Sequence, residues 1–161
     1  MRVSPSKLRL DMFRSMGVAV TPLASNELYT AMQTHVVDGA ENGLQLILSL
    51  HLYEIQKYLS LTNHSWSGYW LFSTTDTWQK LPAKIQEAIA RNNGKYALQQ
   101  RHDSEILLGS VIDKMGRLGM TVNRPPAESF RAKLGPHYAR FKEEYGSTAW
   151  ALLEQHVGKL G

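Results

Sequence analysis

The feature that most constrains the fold is a run of helix-forming residues that is too long for the rest of the chain. Pro82 suits the first turn of a helix, and no strong stop follows it until Gly119. At 1.5 Å per residue, residues 83–119 would span about 55 Å. That exceeds the diameter expected of a compact domain of 161 residues. Apolar residues fall in two patches, Ile85, Ile89 and Tyr96 in the first half and Leu107, Val111, Met115 and Leu118 in the second, with a polar waist at 99–105. Such a helix suits one that bridges two packed bodies. Two shorter helices broken at Gly94 or Gly109 fit the same periodicity.

Ahead of this helix the pattern alternates. Arg2-Val3 reads as the end of a strand, Ser4-Pro5 as a helix start, and Leu8, Met12, Phe13 and Met16 recur at helical spacing up to Gly17. Val18, Val20 and Thr21 form a short β-type run. Ser25-Asn26 caps a helix through Leu28, Ala31 and Met32, and Ala40-Glu41-Asn42 reads as a short strand edge. Residues 44–52 return to helical spacing. The alternation predicts an α/β architecture with helices packed on a sheet. Residues 58–64 and 69–73 read as two further strands, 74–81 as a short helix and 121–122 as a last strand. A helical tail follows Pro125-Pro126, with a closing helix from Ser147.

Composition removes several function classes. The chain has no cysteine, so disulfides, thiolate nucleophiles and thiolate metal sites are excluded. His35, His51, His64, His102, His137 and His156 make no metal-ligand spacing, and the sequence holds neither a GxSxG elbow nor a glycine-rich phosphate loop. No metal, cofactor or catalytic residue is expected. A net charge of +4 would permit a nucleic-acid partner, but the basic residues are scattered and answered by acids, as in Arg140-Phe141-Lys142-Glu143-Glu144. No nucleic-acid partner is expected. No apolar run approaches the ~20 residues of a membrane span, and the first ten residues carry Arg2, Lys7 and Arg9 with no apolar core behind them, so no signal peptide is read there.

In an α/β sheet, ligands bind beyond the carboxyl ends of the strands. Arg2 offers a planar fork for a carboxylate, and Asn42 offers both donors and an acceptor. At one sheet edge the pair would make an anion receptor. The alternative leaves Asp38-Gly39 as a turn and Asn42 as a helix cap.

Several consecutive motifs carry a family resemblance. The runs Ser25-Asn26-Glu27-Leu28-Tyr29-Thr30-Ala31-Met32-Gln33-Thr34 and Val36-Val37-Asp38-Gly39-Ala40-Glu41-Asn42, preceded by Arg2-Val3 and followed by Tyr53-Glu54, Leu61-Thr62-Asn63-His64 and Trp78 to Leu81-Pro82, resemble the DctP-type substrate-binding proteins of TRAP transporters. The resemblance implies a periplasmic-binding-protein-like α/β fold. It makes the chain the C-terminal half of a two-lobe protein, with the N-terminal lobe mostly missing. Residues 1–62 then belong to a ligand-binding lobe, 63–82 to a crossing segment, 83–119 to a long lobe-spanning helix and 120–161 to a C-terminal helical part.

By the same resemblance, Arg2 pairs with a ligand carboxylate and Asn42 orients the ligand, while Ser25, His64 and Trp66 line the pocket. The expected ligand is a small organic acid, the expected partners are the TRAP permease subunits, and the intact family member is periplasmic. The competing expectation is a fragment that does not bind, or a module that self-associates as a homo-oligomer through its exposed lobe surface.

Overall fold

The computed structural model describes residues 1–68 and 70–160. Its elements run β1 (Arg2–Val3), α1 (Lys7–Ser15), β2 (Thr21–Pro22), a 3-10 turn at Ser25–Glu27, α2 (Leu28–Gln33) and α3 (Leu44–Ser49). A second 3-10 turn at Leu52–Glu54 precedes β3 (Tyr58–Ser60), α4 (Thr75–Gln79), α5 (Ala83–Arg117), β4 (Thr121–Asn123), α6 (Ala127–Arg131) and α7 (Gly135–Val157). All strand pairing among the described residues is parallel. β1 pairs with β2 in the register Arg2↔Thr21, and it also bridges Ala40 on its other side. β3 pairs with β4, Leu59 opposite Val122. Parallel neighbours need helical crossovers. Here α1 links β1 to β2, and α5 lies between β3 and β4 in the chain.

Two apolar clusters hold these pieces. One gathers Leu28 and Met32 of α2, Ile47 of α3, Leu59 of β3, and Val111 and Met115 of α5, with Val37, Leu52 and Met120 from the connections. The other sets Val3, Met12 and Phe13 against Leu134. Leu28, Met115 and Val3 are fully buried, each worth about 1.5–3 kcal/mol relative to exposure.

The long helix is continuous over 35 residues, about 52 Å, so the reading with breaks at Gly94 or Gly109 is set aside. It ends where Lys114 and Arg117 meet its negative pole and Gly119 turns to φ 96°. Only its C-terminal patch is in the core, through Val111 and Met115, while Tyr96, Leu98 and Ile106 face solvent. In the tail, α7 is interrupted at Gly146, whose φ of 82° and ψ of 161° no helix can hold. The closing helix thus starts near Ser147, where the sequence placed its start.

The strand expected at 69–73 does not form in its described part. Residues 70–73 have no ladder partner, and Trp70, Leu71 and Phe72 stand 77%, 72% and 88% exposed. Residue 69 lies outside the described residues. An aromatic and aliphatic run becomes a strand only where a neighbouring edge accepts its backbone hydrogen bonds. The expected strand at 58–64 is likewise shorter, ending at Ser60.

Candidate functional site

The site is built from the carboxyl ends of three parallel segments. Arg2 N donates to Gly39 O at 2.7 Å, and Glu41 N returns a bond to Arg2 O at 3.1 Å. On the other side Thr21 N donates to Met1 O and Leu23 N to Val3 O. These ladders fix Leu23-Ala24-Ser25 and Glu41-Asn42 on either flank of β1, so the chain ends converge on the Arg2 side chain.

Arg2 has no solvent-exposed surface, though it lies under a thin cover rather than deep in a core. Its Nε donates to Leu23 O at 2.9 Å, Nη1 to Glu41 O at 3.2 Å and Asn42 Oδ1 at 3.1 Å, and Nη2 to Ser25 Oγ at 3.3 Å. A guanidinium has five N–H donors. Four are engaged, one on Nη2 is left over, and every acceptor is a neutral oxygen. Burial lowers the pKa of Arg2, the nearby Glu41 pulls it back up, and Arg9 lowers it further. A buried cation without a directly bonded anion is costly. Beside it, the Nδ2 of Asn42 is buried and makes no hydrogen bond. Arg2, Ser25 and Asn42, three of the residues singled out in the sequence, therefore meet in one cluster with donors unspent.

His64 reaches the edge of this cluster. Its Nε2 lies 3.4 Å from Glu41 Oε2, Nδ1 lies 2.6 Å from Thr62 Oγ1, and its ring meets Phe13 edge-on at 5.3 Å. The preceding Asn63 has φ 47°, a left-handed conformation that asparagine tolerates better than most residues. Trp66 does not join the cluster. Its indole is 79% exposed and lies over Gly68, where an added Cβ would fall 2.6 Å from the ring.

Three further residues, none of them among the expected ligand contacts although Glu41 was read at the same strand edge as Asn42, complete the surroundings. Glu41 is buried; its Oε1 accepts from Ser4 N at 3.2 Å and from Ser4 Oγ at 3.1 Å, and stands 3.9 Å from Arg9 Nη1. Burial alone would raise its pKa, but the His64 and Ser4 hydrogen bonds and the Arg9 charge outweigh burial and bring it down to about 2. Arg9 donates from Nη1 to Ser4 Oγ at 2.7 Å and from Nη2 to Ser67 Oγ at 3.0 Å. Its only sequence signal was a basic residue on a helix, which ordinarily marks a solvated face.

An open cleft of about 680 Å³ lies elsewhere, between α1 and α7, lined by Lys7, Asp11, Arg14, Arg140 and Glu144. Its charges are largely spent on one another, through Lys7–Glu144 at 2.8 Å and Arg140–Asp11 at 2.7 Å. The Arg2 cluster, with unspent donors, is the better candidate.

Comparison with known proteins gives a consistent result. Residues 1–144 match the family described as bacterial extracellular solute-binding protein, family 7 (DctP). The chain is 30% identical over 146 residues to the sialic acid-binding periplasmic protein SiaP of Vibrio cholerae serotype O1, covering 91% of this chain and 46% of that protein. Among solved structures, a TRAP periplasmic solute binding protein of Polaromonas sp. JS666 bound to D-erythronate superimposes with a TM-score of 0.85 at 32% identity, over 95% of this chain and 51% of that one. Another, from Chromohalobacter salexigens with bound D-glucuronate, gives 0.83 at 28% identity, over 98% and 53%. The chain spans about half the length of the curated relatives it matches.

Proposed function

Because this chain belongs to family 7 of the bacterial extracellular solute-binding proteins, we propose that it supplies the carboxylate-recognising part of a TRAP substrate-binding protein. That protein captures a small organic acid in the periplasm and presents it to a membrane permease. Its work is binding, not catalysis. The observation that carries the reading is the state of Arg2: a buried cation bonded only to neutral oxygens, beside an Asn42 amide with no acceptor. A carboxylate corrects both, since one oxygen can accept from Arg2 Nη2 and the other from Asn42 Nδ2.

The bond from Arg2 to Ser25 Oγ, at 3.3 Å the longest of the four, is the one a ligand oxygen would replace to form a charge-assisted pair. Arg2 has no exposed surface in this conformation, so entry needs neighbouring groups to part and closure returns them. Removal of water then strengthens the ion pair. In this proposal residues 1–62 form the ligand-binding part, 63–82 cross between lobes, 83–119 form the long helix that spans both lobes and 120–161 are the C-terminal helical part. His64, on the crossing segment, borders the pocket, and Trp66, exposed on the same segment in this conformation, reaches it only on closure. The bound D-erythronate and D-glucuronate of the similar structures support an acid as ligand.

Calorimetric titration with D-erythronate tests the reading. Arg2→Met should abolish binding, and Arg2→Lys should weaken it by about tenfold or more, because a point charge does not reproduce the planar donors. Unchanged affinity in both folded variants would remove Arg2 from the site. A second reading, self-association, is favoured by the exposed Trp66, Trp70, Leu71 and Phe72. Light scattering showing dimers that dissociate in Leu71→Asp would support it.

A further inference from the structure

Asn42 has a chemistry besides hydrogen bonding, because the residue after it is glycine. The backbone nitrogen of the following residue can attack an asparagine side-chain amide, most easily where no Cβ crowds the approach. The chain holds two such pairs, Asn42-Gly43 and Asn93-Gly94. Asn93-Gly94 lies inside the continuous α5, where each N–H is held by the carbonyl four residues back and the helical backbone keeps it from the side chain. Asn42 belongs to no helix or strand, and Gly43 is the extended residue ahead of α3, with φ −68° and ψ 146°. Gly43 is exposed, and its N–H donates to no acceptor among the described residues.

The Asn42 amide is also activated. Arg2 Nη1 donates to Asn42 Oδ1 at 3.1 Å. Negative charge develops on that oxygen when Cγ is attacked, and a preorganised cationic donor there lowers the barrier. The leaving nitrogen, Nδ2, makes no hydrogen bond that would hold it. Gly43 N gives its proton to solvent and bonds to Cγ; the Cγ–Nδ2 bond breaks, and Nδ2 takes up a proton and leaves as ammonia. Water then opens the cyclic imide at either carbonyl. Both products, an aspartate and an isoaspartate, carry a new carboxylate beside Arg2.

We propose that Asn42-Gly43 is a self-modifying site: without a ligand, Arg2 promotes deamidation of Asn42, and the carboxylate formed pairs with Arg2 in place of a ligand. The conversion follows from local geometry alone, while its effect on binding rests on the reading of Arg2 as carboxylate receptor. A bound acid slows the conversion, since it neutralises Arg2 and holds Nδ2 by a hydrogen bond. Occupied chains are thereby preserved and empty ones retired.

The experiment ages the folded chain at mildly alkaline pH and follows amide-to-acid conversion by peptide mass spectrometry, with Asn93 as the comparison inside the same molecule. Asn42 should convert about tenfold faster than Asn93 or more, and D-erythronate should slow Asn42 alone. Arg2→Met should lower the ratio of the two rates by about tenfold. If that variant does not fold, Gly43→Ala decides: its added Cβ meets nothing within 4 Å, so the fresh chain should bind D-erythronate as wild type does and keep that binding while wild type loses it. Asn42→Asp should weaken D-erythronate by about tenfold or more. Equal rates at Asn42 and Asn93, or ageing of Gly43→Ala as fast as wild type, overturn the proposal while fresh chain still tests Arg2 as receptor. Asn42→Asp that binds like wild type overturns the inactivating step. Fresh wild type that binds no D-erythronate overturns the carboxylate reading, and the conversion at Asn42 then stands or falls on its rate.

Discussion

Neutralising Glu41 should change how the stability of this chain depends on pH. Its carboxyl titrates at about 2 in the folded chain against an ordinary value of 4.5. At 1.36 kcal/mol per unit, the difference is worth about 3 kcal/mol. Because the folded value lies below the unfolded one, this contribution is complete above the unfolded value and is lost as the pH falls toward the folded one. By pH ~3 about 2 kcal/mol of it should be gone. The side chain is 6% exposed, so solvent screening takes little away. Urea unfolding of wild type and Glu41→Gln, at intervals from neutral pH down to pH ~3, isolates the term, since every other carboxyl is common to both chains. The gap between them should narrow by about 2 kcal/mol across that interval. A gap that stays constant with pH would refute the reasoning, because the Ser4, His64 and Arg9 contacts would then not favour the ionised form.

Two further perturbations test the packing. Met115→Ala removes a fully buried side chain from the cluster joining α5 to α2 and α3, and denaturant unfolding should show a loss of about 2–5 kcal/mol. Asp11 accepts from His137 at 2.9 Å and from Arg140 at 2.7 Å, tying α1 to α7. Burial raises its pKa, but those two hydrogen bonds outweigh burial and hold it below its ordinary value. Asp11→Asn should therefore cost about 1–3 kcal/mol at neutral pH, and the difference from wild type should shrink as the pH falls below the ordinary carboxylate range.

What could be read in advance depended on how local each signal was. Helical spacing in residues 7–16 and 28–33 and the β-type runs near residues 2 and 21 are local patterns, and the structure places elements there. The convergence of Arg2 with Asn42 was legible because both sit at strand ends, where a parallel sheet gathers its side chains. The continuity of α5 was not, because glycine lowers helix propensity without forbidding a helix, and α5 carries Gly94 and Gly109 mid-length.

Residues 70–73 show the opposite failure. Their aromatic and aliphatic content is a local signal, but a strand needs a partner edge, which composition cannot announce. The network of Glu41 with Ser4, Arg9 and His64 joins residues 23 to 37 positions apart, beyond any helical or strand period. Arg9 therefore looked like one of many solvated basic residues. Trp66 was read as a pocket residue, yet in this conformation it leans on Gly68 in water.

The central claim is that Arg2 and Asn42 together hold a ligand carboxylate. Side-chain NMR of the ¹⁵N-labelled chain titrated with D-erythronate reports on both groups at once. The account predicts that the Arg2 Nη2 and Asn42 Nδ2 proton signals move in step, with the same affinity that calorimetry gives, and that Asn42→Ala removes the Arg2 response. Saturable binding that leaves both signals in place would contradict it.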